Sequence, residues 1–301
     1  MVILRNIYVN NGKYKFFFGC VTIEVMEIQK LSGDREPFSS EKLCRSLKRV
    51  GLDAGQAEQI CTLVESKLKP GDTTTKIFRH ALRSVAQTNL QATVRYSLRR
   101  AVDSLGPSGF LFEKYVEALL QAHGYTTKQG SFMKGECATH EVDVYAEKGD
   151  LKYLVEAKYR NNHNIKTHID QVMYADARLM DIQRRAVAEK RDPNEYTMWV
   201  ITNTEFTTSA IKYAECRGVK LVSWNYPKDN DLESMIVRKK MYPITVLPSL
   251  TQVARDRFAQ HQMILAQDLV PHTVDDLVHS IGISKTLARK LLREAQEIIS
   301  F

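Results

Sequence analysis

Hydrophobic residues recur along this chain with two different periods. Between residues 40 and 105 they fall three and four apart, the spacing of an amphipathic helix face. Leu43, Leu47 and Val50 mark one helix; Ile60, Leu63, Val64 and Leu68 mark the next. Ser39 stands as an N-cap with Glu41 in the first turn, Gly51 closes the first helix, and Pro70-Gly71-Asp72 breaks the second. Thr74 or Thr75 is expected to cap a third helix through IFRHALRSVAQTN, and QATVRYSLRRAVDSL reads as a fourth. Ahead of them EIQKL has strand character and leads into a Ser-Gly-Asp turn.

GPSG at residues 106–109 is a boundary. The pattern then mixes periods. FLFEKYVEALLQAHGY is an amphipathic helix closed by Gly124. TTKQGSFMKGECAT and the two halves of HEVDVYAEKGDLKYLVEAKYR read as strands, the last two joined at Lys148-Gly149-Asp150. A helix is expected from about Thr167 to Glu189, a buried strand in EYTMWVIT, a helix capped by Thr207 or Thr208, and a strand in KLVSWN. The order α, β, β, β, α, β, α, β predicts an α/β domain with a mixed sheet. After Pro243, SLTQVARDRFAQHQMILAQDL reads as one helix. TVDDLVHSIG and SKTLARKLLREAQEII read as a helical hairpin around Gly282, more simply a packing or dimerisation element than a grip on nucleic acid. The segments predicted are thus an extension over 1–25, a mostly helical domain over 26–105, the α/β domain over 106–243 and a helical tail over 244–301. Met26 is an alternative start of translation.

Composition adds little except by exclusion. The 301 residues are 44% hydrophobic and 26% charged, as in a soluble globular protein. Five cysteines without a C-x-x-C pair argue against a zinc ribbon and a disulfide framework, and fit a reducing cytoplasm. FFFGCVTIEV is too short to span a bilayer, which needs roughly 20 apolar residues. The net charge of +8 is compatible with nucleic acid as partner, and its excess lies mostly in residues 26–105. The α/β stretch is nearly balanced, so a basic DNA track there requires an acidic patch elsewhere.

Lys30, Arg35, Lys42 and Arg45 cluster around a turn and a helix N-terminus, where backbone N–H groups favour anions. By themselves they also suit a solvated basic face. No Walker A loop is present. IQKLSGDREPFSSEKLCRSLKR, with Ile28, Lys30, Gly33 and Phe38, and the later VRYSLRRAV, resemble an ATP-cone domain over residues 27–105. The resemblance implies allosteric binding of ATP or dATP without hydrolysis. Lys30-Leu31 departs from the Lys-Arg common in that family.

On a strand, residues two apart share a face, so Glu156 and Lys158 point together. The turn at Gly149 brings Asp143 opposite Glu156. Polar residues so placed can be a solvated sheet face. They can also hold a divalent cation, since two adjacent carboxylates repel unless a cation lies between them. The blocks GFLFEKYVEALLQAHGY, HEVDVYA, YLVEAKYR and MWVITNTEFTTSAIKYAECRGVKLVSWN resemble Mrr-type restriction nucleases of the PD-(D/E)xK superfamily over residues 106–227. The resemblance implies a restriction-endonuclease-like fold with Asp143 and Glu156 binding Mg²⁺ (or Mn²⁺) and Lys158 as catalytic lysine. It also implies supporting roles for Glu113 and Gln171, with DNA as substrate. The HEV preceding Asp143 departs from a glycine-rich approach, and His140, Glu141, His163 and His168 are secondary candidates for DNA or metal contact. The combined expectation is a cytoplasmic, nucleotide-regulated endodeoxyribonuclease of restriction or repair, working as a dimer or higher homo-oligomer and without a membrane partner. The rival is a catalytically inactive, nucleotide-responsive DNA-binding regulator.

Overall fold

The computed structural model describes residues 8–10, 13–18, 21–30, 33–87, 90–105, 109–162 and 165–300. The chain forms two compact units, Met1–Ser97 and Leu98–Phe301. Among the described residues no helix is long and apolar enough to cross a membrane.

The first unit opens with four antiparallel strands in sequential order, β1 (Tyr8–Asn10), β2 (Lys13–Phe18), β3 (Val21–Gln29) and β4 (Arg35–Pro37). The backbone of β3 runs unbroken past Met26. Helices α1 (Ser40–Arg49), α2 (Ala54–Glu65), α3 (Thr74–Ala86) and α4 (Leu90–Asp103) follow. Leu43, Leu47, Ile60, Val64, Ile77 and Ala81 share one core with Ile28. Each buried Leu or Ile contributes about 2 kcal/mol relative to exposure. Ser39 caps α1 as expected, its hydroxyl accepting from the Lys42 N–H. Three readings need correction. Thr73 caps α3 rather than Thr74 or Thr75: it keeps extended backbone and accepts from Lys76 N. Leu63 is 41% exposed, because Ile60 and Val64 already define the buried stripe of α2. Cys44 and Cys61 form a disulfide that ties α1 to α2, a pairing their separate positions in sequence did not suggest.

In the second unit the predicted order is met: α5 (Gly109–Ala122), β5 (Thr126–Lys134), β6 (Thr139–Lys148), β7 (Leu151–Lys158), α6 (Ile169–Ala188), β8 (Tyr196–Thr202), α7 (Thr208–Arg217) and β9 (Lys220–Val222). The strands lie in the order β5-β6-β7-β8-β9. The first three are antiparallel, and β7, β8 and β9 are parallel. Tight connections permit only the former pairing, and helical crossovers permit the latter. Leu154, Met198 and Val200 on one sheet face pack against Val172, Ala175 and Leu179 of α6 and Ala210 of α7. α5 packs against β5, β6 and β7, with Phe112, Tyr115 and Leu119 fully buried. Thr207 caps α7, and Gly218 ends it in the left-handed conformation.

Beyond the sheet the structure differs from expectation twice. α8 (Leu232–Lys239), capped by Asp231, was not apparent from periodicity in so short a segment. The long helix expected after Pro243 stops at α9 (Gln252–Gln260): Gln262 is left-handed, and Met263 N–H bonds back to Phe258 O. A single 3₁₀ turn, Ala266–Leu269, takes up the remainder. α10 (Val274–Asp276) continues into a wide turn, Leu277–Ile281, before Gly282 and α11 (Lys285–Ser300).

Candidate active site

The β6–β7 ladder runs from Lys148 opposite Leu151 to Val144 opposite Val155. It ends one pair short of Asp143 and Glu156. There the Ala157 N–H donates to Asp143 Oδ2 at 2.7 Å. A side-chain carboxylate thus replaces the backbone acceptor, and the strand pair opens at the end where the candidate residues collect. Glu156 is 4% exposed. Its Oε1 accepts from the Lys158 ammonium, and its Oε2 accepts from Arg178 Nη1 at 2.7 Å.

Burial, together with the nearby Glu156 charge, pushes the Asp143 carboxyl up to about 7; the Ala157 N–H and Lys158 offset only part of this. Glu113, on the second turn of α5, is also raised, by burial first and then by Glu141 and Glu156. Three carboxyl groups crowd one place. Oxygen donors in that arrangement fit a hard divalent cation, which relieves the repulsion the side chains cannot relieve themselves. Asp143 and Glu156 would hold it. Lys158 and Arg178 supply compensating charge to Glu156.

The structure therefore brings Asp143, Glu156, Lys158 and Glu113 together. Gln171 is different: its amide donates to Asp170 on the first turn of α6 at 3.0 Å, and no described hydrogen bond links it to the other four. His140 is turned to other work. Its Nε2 lies 2.7 Å from Asp181 Oδ2, and the Asp181 carboxylate also accepts from Cys137 N and Ala138 N. These bonds, the Cys137 N–H first, hold the Asp181 carboxyl well below the usual range. Glu136, Cys137 and Asp181 could together ligate a metal, but the observed partners of Asp181 already explain its position. Glu141 is exposed, and its backbone oxygen accepts from Arg178 at 3.2 Å. His168 occupies the cap position of α6 without a side-chain cap bond, and His163 lies outside the described residues.

Sequence reasoning missed two supports. Arg178 stacks over Tyr174, its guanidinium carbon 4.4 Å from the ring centroid, and reaches Glu156. Gln171, Tyr174 and Arg178 stand three and four apart, so the helix period was the available signal. Asn203 is fully buried. Its Oδ1 accepts from Arg160 N at 2.8 Å and its Nδ2 donates to Arg160 O at 2.8 Å. Thr202 Oγ1 donates to Lys158 O at 2.7 Å. The Thr-Asn pair after β8 thus fixes the chain where it leaves β7.

In the first unit, Lys30 Nζ lies 2.9 Å and Lys42 Nζ 3.7 Å from the Glu36 carboxylate. Arg35 pairs with Glu27 at 3.9 Å and Arg45 with Glu41 at 2.7 Å. Two of the four predicted anion-binding cations therefore converge and two do not.

A mixed five-stranded sheet between helices, with an Asp on one strand and Glu-x-Lys on the next, is consistent with a restriction-endonuclease-like domain in this part of the chain. Residues 106–225 match the family described as restriction endonuclease, Mrr catalytic. Residues 242–299 match the family described as AF1548-like, C-terminal. An uncharacterized protein of Archaeoglobus fulgidus is 32% identical over 181 residues, covering 60% of this chain and 98% of its own length. The crystal structure of AF1548, a protein of unknown function, has a TM-score of 0.51 at 31% identity over 64% of this chain and 98% of that one. The chain belongs to the AF1548-like family. Can2 from Sulfobacillus thermosulfidooxidans in complex with cyclic tetra-adenylate has a TM-score of 0.29 at 12% identity, too remote to bear on function.

Proposed function

We propose that this chain is a divalent-metal-dependent endodeoxyribonuclease whose first unit is a nucleotide-sensing ATP cone. The observation that carries the nuclease reading is the meeting of Asp143, Glu156 and Lys158 at the open end of the β6–β7 ladder. A Mg²⁺ or Mn²⁺ ion on the two carboxylates would supply Lewis-acid polarisation of a phosphodiester. Asp143 and Glu156 supply the negative charge that selects a cation. Lys158 presents its ammonium to the attacking water and to the charge that develops on phosphate oxygen. Glu113 adds a further acceptor for ordered water. Gln171 keeps the supporting role implied by the family pattern only if it exchanges Asp170 for a substrate contact. Cleavage of both strands of a duplex calls for two such sites, hence a dimer or larger assembly, in the cytoplasm.

The nucleotide reading rests on Lys30 and Lys42 sharing Glu36 at the start of α1. ATP or dATP phosphates would take the place of Glu36 between those ammonium groups, with Arg35 and Arg45 joining by side-chain rotation. If Lys30→Ala and Lys42→Ala leave thermal stabilisation by ATP unchanged, this assignment fails.

The test of catalysis is incubation of supercoiled and linear DNA with Mg²⁺, Mn²⁺ or EDTA, with and without ATP, using wild type, Lys158→Ala and Glu156→Gln. Metal-dependent cleavage lost in both variants is expected. Cleavage unaffected by Lys158→Ala would sink the assignment. One observation favours the regulator as second reading: both Glu156 oxygens already have cationic partners. DNA binding without cleavage under every condition would select it.

A further inference from the structure

Glu156 points to one face of the sheet; its neighbour Val155 points to the other. Val155 lies beside Trp199, and Trp199 beside Lys220, so these three share the face opposite Glu156. A cavity of about 310 Å³ is lined there by His123, Tyr125, Lys148, Trp199, Lys220 and Arg238, among others. Its charged lining is cationic. Lys148 Nζ donates to His123 O at 2.9 Å and sits 5.2 Å from the Tyr125 ring centroid. Arg238 donates to Asp229 O and to Asn230 Oδ1. Lys220 Nζ lies 3.7 Å from the centroid of Trp199 and 4.7 Å from that of Tyr153.

Among the described residues, neither Lys148 nor Lys220 has a carboxylate within salt-bridge distance. The aromatic faces attract the Lys220 ammonium but accept none of its N–H bonds in the way an oxygen does. Burial alone pulls its proton affinity down, with no anion to restore it. A second group is also left over: Trp199 is 2% exposed, and among the described residues its Nε1–H has no acceptor. A half-buried ammonium without a counter-charge and a buried N–H without an acceptor are both costly in a finished structure. An anion with several oxygens in the cavity would supply the counter-charge that Lys220 lacks, directly against the Trp199 ring.

We infer that this cavity is a second ligand site, which binds a phosphate group carried by a small molecule no larger than a mononucleotide. Lys220 is its central contact, and Lys148 and Arg238 close on the remaining phosphate oxygens. Tyr125 offers an apolar surface to whatever the phosphate is attached to. Volume sets the upper size: 310 Å³ is at the low end for small-molecule sites. The site uses none of the residues proposed for cleavage or for the ATP cone, so it stands or falls apart from both.

The test uses the full chain, ¹⁵N-labelled, carrying Lys30→Ala and Lys42→Ala so that phosphate binding in the first unit does not intrude. Inorganic phosphate, AMP and adenosine are titrated while the two tryptophan indole N–H signals are followed, assigned by Trp224→Phe. Phosphate and AMP should each shift the Trp199 signal saturably, and adenosine should not. Preference between the two reveals whether the natural ligand is a free phosphate or a phosphate ester. Lys220→Met should weaken the response about tenfold or more, the scale of one lost charge-assisted contact; Lys220→Arg should largely retain it, and Lys158→Ala should leave it unchanged. A flat Trp199 signal with both phosphate and AMP overturns the proposal. So does an equal response to adenosine, or wild-type affinity in a Lys220→Met chain whose spectrum shows it folded.

Discussion

Replacing Asp143 by Asn offers a direct reading of charge crowding at the candidate site. The carboxyl rises from 3.8 to about 7, chiefly through burial and secondarily through Glu156. Its folded affinity for a proton is thus raised above the unfolded one. The stability this provides is fully present below about pH 3.8, and it is lost as pH climbs through about 7. At about 1.4 kcal/mol for each tenfold change, the full difference is about 4 kcal/mol, of which about 3 kcal/mol disappears between pH 5 and pH 8. Both are upper bounds, because water reaches part of this carboxyl. Asn keeps an oxygen to accept the Ala157 N–H but carries no charge. In EDTA, Asp143→Asn should therefore gain stability relative to wild type on going from pH 5 to pH 8, by a few kcal/mol in urea unfolding. Added Mg²⁺ should reverse the order at pH 8 by stabilising wild type alone. A stability difference between the two proteins that is the same at pH 5 and pH 8 would refute the reasoning, since no carboxyl would then be paying for its neighbours.

Three further substitutions probe the supports. Arg178→Met leaves the 5%-exposed Glu156 side chain with Lys158 alone. It should cost about 3 kcal/mol in metal-free urea unfolding and tighten Mg²⁺ binding by calorimetry; unchanged values for both would mean that the ion pair is idle. Asn203→Ala strands the N–H and C=O of Arg160. About 2 kcal/mol of stability should be lost, and DNA cleavage should fall while metal affinity stays near wild type; intact cleavage would separate Asn203 from the β7 exit. Gly135→Ala would set a Cβ 1.9 Å from Asp181 Oδ2 and 2.8 Å from Ala138 O. The turn that Asp181 holds must move, at about 2–3 kcal/mol, and a neutral thermal shift would show that the loop yields freely.

Periodicity placed most of the second unit because its elements are long or strongly alternating. Strands β5 and β6 alternate, so that one residue of slip would turn them over; β7 is a continuous buried run, and α6 repeats its stripe over 20 residues. It failed where local rules compete. The segment after Pro243 keeps helical spacing across Gln260 and His261, yet Gln262 takes a left-handed conformation so that Met263 can reach back to Phe258. Apolar spacing cannot report such a stop. Likewise α8 is only eight residues long, too short for its stripe of Leu232, Met235 and Ile236 to stand out from its polar surroundings. The Cys44–Cys61 bond depends on how α1 and α2 pack, which spacing along one helix does not encode.

The candidate site divides along the same physical line. Asp143, Glu156 and Lys158 were legible because a hairpin converts sequence distance into spatial distance by simple counting, and strand alternation fixes which side chains meet. Arg178 and Asn203 come from an adjoining helix and a parallel strand, brought in by crossovers whose lengths carry no register. Their partners are the buried Glu156, the Asp103 carboxylate and backbone groups, none of them marked in the sequence. His140 shows the reverse case. It stands on β6 itself, three residues before Asp143 and so on the other face, and its ring turns to Asp181 beside the β5–β6 turn. The helix partner of Glu156 therefore has to be read from packing. This is why the departure at His140-Glu141 from the family pattern says little about Asp143: His140 holds a turn through Asp181, and Glu141 offers Arg178 only its backbone oxygen.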